Sequence, residues 1–202
     1  MYTLYYLPGT SSLAIHVLLN EIGTGFKLVE RPDAAEYIKI NPALKVPALV
    51  DGETTVFEGA AVALYLMEKH PSTMLPSKAE DRIRHIQWMM FANASMYHAY
   101  GKLFFANRPT PDPAQKDAAL TAAAAGVSAF WKVIDNQLEN STFLCGKYLS
   151  MADIMLAVYA GWNKNFPGRV TLGENCLRMI REVTSRESFR KAVATEKIDF
   201  QI

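Results

Sequence analysis

The sequence is short of cysteine, of excess charge and of long apolar runs, and each shortage removes a class of function. Two cysteines, Cys145 and Cys176, allow at most one disulfide, and neither belongs to a CxxC pair. The four histidines (16, 70, 85 and 98) are scattered and no HExxH is present, so no structural metal is expected. Lys and Arg number 21 against 20 Asp and Glu, a net charge of +1 that gives no field to gather nucleic acid or an anionic membrane. The one local basic excess, "RMIREVTSRESFRK" (178–191), has interleaved acids and arginines at helical spacing, and reads as a solvated face. The opening "MYTLYYLPG" lacks the basic and long apolar regions of a signal peptide. The uncharged run "GAAVALYLM" (59–67) falls well short of the ~20 apolar residues a spanning helix needs. The expectation is a soluble, cytoplasmic protein.

What is present is an ordinary globular balance, 50% hydrophobic and 20% charged over 202 residues, enough for one large domain or two small ones, each with its own core. The first third alternates strand and helix signals. "YTLYY" (2–6) and "FKLVE" (26–30) suit strands, being rich in β-branched and aromatic residues. Between them, Leu13, Val17, Leu18 and Ile22 share one helical face, and Gly23 ends it. "AAEYIKI" (34–40) is a short helix halted by Asn41-Pro42. "VPALV" (46–50), Asp51-Gly52 and "TTVF" (54–57) spell a hairpin, and 59–69 a compact apolar helix stopped at His70-Pro71. From about residue 79 only helical periods follow, broken at 107–113, 139–150 and 165–174. The reading is an α/β unit (1–76) followed by an all-helical unit (77–202).

Three stretches of the first unit bear on chemistry. In "YYLPGTSSLAIHVLL" (5–19) three hydroxyl residues, Thr10, Ser11 and Ser12, meet the start of a helix. One of them suffices as an N-cap, and the others are in excess. In "NPALKVPALVDG" (41–52), Val46-Pro47 precedes a strand, where proline is out of place unless it lies at an edge or its bond is cis. A cis bond would turn the backbone of Val46 outward, free to pair with an extended ligand. In "VFEGAAVALYL" (56–66) Glu58 ends a strand and Gly59 opens a helix, so bare N–H groups for a carboxylate adjoin an acid for an ammonium. Dipole complementation of the helix by Glu58 explains the same residues without a ligand.

Taken together, "NPALKVPALVDG" and "FEGAAVALYL" resemble the paired NPxxxVPxL and E[S/G]xAIxxYL motifs of the glutathione transferase superfamily. "YLSMADIMLAVY" (148–159) resembles a further element of that family, a capping box of Ser150 and Asp153 opening the core helix of the second domain. The resemblance spans the chain and implies a thioredoxin-like domain joined to an α-helical domain, glutathione as co-substrate, a homodimer and a cis Pro47.

Residue by residue, the resemblance gives the γ-glutamyl group to Glu58 and the N–H of Gly59, the cysteinyl backbone to Val46, and the glycyl carboxylate to Lys45. In style the chain resembles bacterial beta-class members, which carry PGACSLA where this chain has "PGTSSLA". Aligned without gaps, their reactive cysteine falls on Ser11. Delta-like members with YYLPGS place a catalytic serine on Thr10, and Tyr6 matches a tyrosine near the thiol. The expected division is Ser11 toward the sulfur, Thr10 as alternative, and Ser12 as cap beside the ligand. Counted from Trp88, the polar Asn and His of beta-class relatives fall on Met90 and Tyr97. Met96, Tyr100 and Phe104 make one helical stripe, read as core or dimer interface. Tyr97 and Phe105 lie off it and are expected to wall an apolar electrophile pocket, with Trp162 and Phe166.

These features imply a glutathione S-transferase acting on apolar electrophiles. A glutathione-dependent isomerase or thiol-disulfide reductase, or a non-catalytic binding or regulatory member, are the alternatives. The absence of cysteine before residue 145 weighs against the reductase, because no mixed disulfide with glutathione can form on the first domain.

Overall fold

The chain, described over residues 1–202 by a computed structural model, opens with β1 (Tyr2–Tyr6), α1 (Ser12–Ile22) and β2 (Phe26–Glu30). β1 and β2 run parallel, so the connection between them must cross over, and α1 is that crossover. A single helical turn, α2 (Ala34–Tyr37), is followed by β3 (Ala48–Asp51), β4 (Thr54–Phe57) and α3 (Gly59–Lys69). The sheet order is β2-β1-β3-β4, with β3 antiparallel to both neighbours. Fully buried Leu4 sits at its centre, opposite Leu28 on one side and Leu49 on the other. This is the thioredoxin-like arrangement the resemblance implies.

Three local expectations shift. α2 stops at Tyr37 and leaves 38–40 in turn, where the Tyr37 carbonyl takes the N–H groups of both Ile40 and Asn41. β3 starts at Ala48 rather than Val46, since Pro47 offers no N–H and the ladder begins with the Ala48–Phe57 pair. The Val46-Pro47 peptide is cis. In α1 burial is not confined to one face: every residue from Ser12 to Leu19 is buried.

The reason lies in the second half. Helices α4 (Ala79–Met90), α5 (Tyr97–Ala106), α6 (Pro113–Gln137), α7 (Met151–Ala160), α8 (Glu174–Thr184) and α9 (Glu187–Glu196) follow, with a π-helical segment at Phe91–Met96 and a 3₁₀ segment at Gly161–Asn165. α1 packs on α3 from its own unit and on α7 and α9 from the helical one, so it is enclosed on both sides. By length and composition alone α6 matches a membrane span. Its Leu120, Ala124, Val127, Trp131 and Ile134 form a buried stripe in the bundle.

All ten residues of α7 are buried, and its capping box is complete. Ser150 Oγ accepts the Asp153 N–H at 3.4 Å, and the Asp153 carboxylate accepts the N–H groups of Ser150 (2.8 Å) and Leu144 (3.0 Å). The box therefore starts the central helix and also ties down the loop before it.

Candidate active site

At the start of α1 the three hydroxyls separate into two roles. Thr10 Oγ1 and Ser12 Oγ lie 2.8 Å apart, and each reaches the Leu7 carbonyl, at 2.9 and 3.1 Å. Ser12 Oγ also accepts the Leu7 N–H at 3.3 Å, and the residue is fully buried. Both hydroxyls are consumed in closing the 7–12 loop. Ser12 is therefore a loop lock and not the expected cap; Ser11 holds the N-cap position, with no side-chain cap bond. Ser11 is half-buried, its hydroxyl has no protein partner, and it lines a cavity of about 210 Å³ that neither Thr10 nor Ser12 lines.

The opposite walls of that cavity are the other two stretches. Lys45, Val46 and Pro47 line it, as do Glu58 and Gly59. The N–H and C=O of Val46 make no hydrogen bond within the protein. The Lys45 ammonium is exposed and pairs with no acid. Glu58 is exposed, its carboxylate is unpaired, and its backbone stands at φ +73°, ψ +118°. A non-glycine residue there costs on the order of 1–3 kcal/mol, and such outliers concentrate at ligand sites.

The fourth wall comes from the helical half and, besides the expected Tyr97, contains residues the sequence did not announce. Asn93, Tyr97 and His98 line the cavity, with Met151, Met155 and Tyr159 of α7. Of the two positions counted from Trp88, Tyr97 lines the cavity and Met90 does not, and the polar Asn93 and His98 line it as well. The segment Phe91–Met96 between α4 and α5 is π-helical and takes an extra residue per turn, which shifts the phase of the side chains beyond it.

The loop that carries Ser11 is clamped from the helical half. The Gly9 N–H donates to Glu196 Oε2 at 3.2 Å, and its carbonyl accepts the Trp162 indole N–H at 2.9 Å. Glu196 Oε1 meets His16 Nδ1 at 2.9 Å, both residues buried, so α9 is pinned to α1 as well.

Both halves of the chain match one family. Residues 1–68 fit the description "Glutathione S-transferase, N-terminal domain" and residues 93–176 the description "Glutathione S-transferase, C-terminal domain". The chain belongs to the glutathione S-transferase superfamily. It is 28% identical over 169 residues to "Glutathione S-transferase GstA" of Escherichia coli O157:H7, covering 79% of this chain and 81% of that protein. A solved glutathione S-transferase from Xylella fastidiosa superposes with a TM-score of 0.90 at 25% identity, covering 98% of this chain and all (100%) of that one. A sphingomonad glutathione S-transferase complexed with glutathione gives a TM-score of 0.82 at 28% identity, covering 97% of this chain and 99% of that one.

Within this superfamily member the expected electrophile wall divides. Tyr97 faces the cavity. Trp162 stands behind Tyr159, stacked on it at 4.6 Å between ring centroids, and lines a neighbouring cleft with Gly9. Phe105 is 66% exposed, with the Arg108 guanidinium over its ring. Phe166 is buried against Phe104 at 4.9 Å. Helical phase explains the Phe105 miss: on the continuous helix α5 it lies eight residues past Tyr97, roughly 80° further round and about 12 Å further along, away from the cavity. Tyr6 does not line the cavity, and burial raises its phenol above the usual range, which keeps it protonated. Neither cysteine lines it, and burial pushes the Cys145 and Cys176 thiols up to about 12.

Proposed function

We propose that this protein is a glutathione S-transferase in which the Ser11 hydroxyl and the N-terminus of α1 stabilise the glutathione thiolate. The observation that carries the reading is the unpartnered Ser11 hydroxyl, alone of its run in facing a cavity whose other walls are Val46 and Glu58–Gly59. In this reading residues 1–76 form the glutathione-binding domain and 77–202 the domain that receives the electrophile. Glu58 accepts from the γ-glutamyl ammonium, while the Gly59 N–H at the start of α3 receives the adjoining carboxylate. Val46 pairs with the cysteinyl backbone, and Lys45 meets the glycyl carboxylate.

The energetics suffice. A thiol of ordinary pKa ~8.5 must fall by about two units to be largely ionised at neutral pH, which is about 2.7 kcal/mol. A hydrogen bond to a charged acceptor contributes about 1.5–3 kcal/mol, and a helix N-terminus up to about 2 kcal/mol in a partly buried site. The serine is thus a donor to sulfur and neither base nor nucleophile. The thiol proton leaves to solvent; the thiolate then forms an S–C bond to the electrophile as the leaving group departs with its electron pair, or as a double-bond pair shifts away. Tyr97 and Tyr159, with Met151 and Met155, give the apolar side on which an electrophile would rest. The reading includes a homodimer, checked by sedimentation.

Calorimetry with glutathione and turnover of a chlorinated nitrobenzene test the proposal. Ser11→Ala is expected to raise the pKa of bound thiol by ~1–2 units and to lower kcat/KM about 10- to 100-fold. Absence of glutathione binding at millimolar concentration, or full activity in Ser11→Ala, would overturn it.

A further inference from the structure

The segment from Pro42 to Pro47 belongs to no helix or strand, yet it carries the peptide unit on which the proposed ligand contact depends. We infer that Tyr37, Asn41 and Arg31 are positioning residues that aim the Val46 N–H into the cavity, an inference that rests on the glutathione reading. The Tyr37 hydroxyl donates to the Lys45 carbonyl at 2.8 Å, and Asn41 Nδ2 donates to the same oxygen at 2.7 Å. Both side chains are buried, Tyr37 completely and Asn41 to within 1%. Arg31 Nη1 donates to the preceding carbonyl, Leu44, at 2.8 Å, and its guanidinium lies 5.9 Å from the Tyr37 ring centroid.

The geometry of the peptide group turns these three bonds into an aiming device. The Lys45 C=O and the Val46 N–H belong to one planar unit, trans in this chain, so they point in opposite directions. With two donors the Lys45 oxygen has both lone pairs filled and is held inward. The Val46 N–H is then held outward, and it has no partner inside the protein. The same logic applies one unit earlier, where Arg31 fixes the Leu44 carbonyl of a residue at φ +55°. Asn41 Oδ1 meanwhile accepts the Ala43 N–H at 3.0 Å, closing the turn that brings the segment back toward the sheet. No other side chain donates to the Leu44 or Lys45 carbonyls.

The test compares wild type with Tyr37→Phe and Arg31→Met. Arg31 is only half-buried, so its variant folds even if the buried Tyr37→Phe does not. Calorimetry with glutathione is expected to show about threefold to tenfold weaker binding in each, the effect of one lost hydrogen bond. The thiolate absorbance titration of bound glutathione and kcat at saturating glutathione are expected to stay unchanged, because Ser11 stands on another wall. A second probe, γ-glutamylcysteine, lacks the glycyl carboxylate: the Tyr37→Phe penalty should persist with it, whereas a Lys45→Ala penalty should vanish. Unchanged affinity in both folded variants would overturn the inference while leaving the glutathione reading intact. A thiolate pKa or kcat that moves together with affinity would overturn it too, marking general disruption of the site. Wild type that binds no glutathione would sink the underlying reading, and this inference with it.

Discussion

The indole N–H of Trp162 donates to the carbonyl of Gly9 at 2.9 Å, across 153 residues of sequence. Gly9 stands at φ +69° two residues before Ser11, and its N–H is taken by Glu196. The peptide groups flanking Gly9 are thus both held by the helical half of the chain, so the wall with the free hydroxyl is set by residues remote in sequence. Trp162→Phe keeps an aromatic ring on Tyr159 and removes the donor. The expected outcome is a loss of about 1 kcal/mol in urea unfolding, with kcat/KM lowered several-fold through a displaced Ser11. Unchanged kinetics would mean that the clamp is structural only.

Ser12 and Ser11 are adjacent, yet their alanine variants should fail in different ways. Ser12→Ala strips the partner from the half-buried Leu7 N–H and removes a buried hydroxyl from the Leu7 carbonyl, at an expected cost of about 1–3 kcal/mol of stability. The thiolate titration of the protein that remains folded should match wild type. A shift as large as that of Ser11→Ala would place the chemistry on the wrong hydroxyl.

At Gly59 there is room for a side chain. A Cβ built there meets nothing nearer than 3.8 Å, the neighbours being Asn93 Oδ1 and Pro47 Cγ. Gly59→Ser adds a hydroxyl beside the N–H groups that open α3. Glutathione affinity is expected to rise roughly tenfold, the scale of one hydrogen bond to a carboxylate, with Tm unaltered. Weaker binding on calorimetry would count against a carboxylate at this helix end.

His85 on α4 is buried and donates Nδ1–H to the Met74 carbonyl at 2.9 Å, which ties the 70–78 connection to the helical half. Burial pushes its pKa down, outweighing the carbonyl. The folded protein then binds this proton more weakly than the unfolded chain, so the stability is present above about pH 6.5 and is lost as pH falls below it. Wild type should lose more Tm between pH 7.5 and 5.5 than His85→Gln, which keeps a donor but does not titrate. Parallel Tm curves would refute the assignment.

Much of this molecule is governed by short-range rules. The strands at 2–6 and 26–30, the helices at 12–22 and 59–69, and the Asp-Gly hairpin were legible because a period or a turn residue needs only a few neighbours. The Ser150–Asp153 box was legible for the same reason, since its partners lie three residues apart. So were the cavity positions Val46–Pro47 and Glu58–Gly59, where proline and a strand-to-helix junction constrain the backbone locally, whereas Lys45 came only with the family resemblance.

Other features were settled by contacts that no window of sequence contains. Which of three consecutive hydroxyls stays free depends on where the Leu7 peptide lies relative to Thr10 and Ser12. Whether Trp162 walls the pocket or clamps Gly9 depends on α7 packing against α1. That Asn93 and His98 reach the cavity depends on the π-helical phase of 91–96 and on its packing against α4 and α7. The sequence by itself determined the elements and the backbone junctions that line the cavity, because backbone preferences and capping bonds act over three or four residues. The tertiary structure alone decided which side chains face the cavity, because a side chain's partner is chosen by what packing brings beside it.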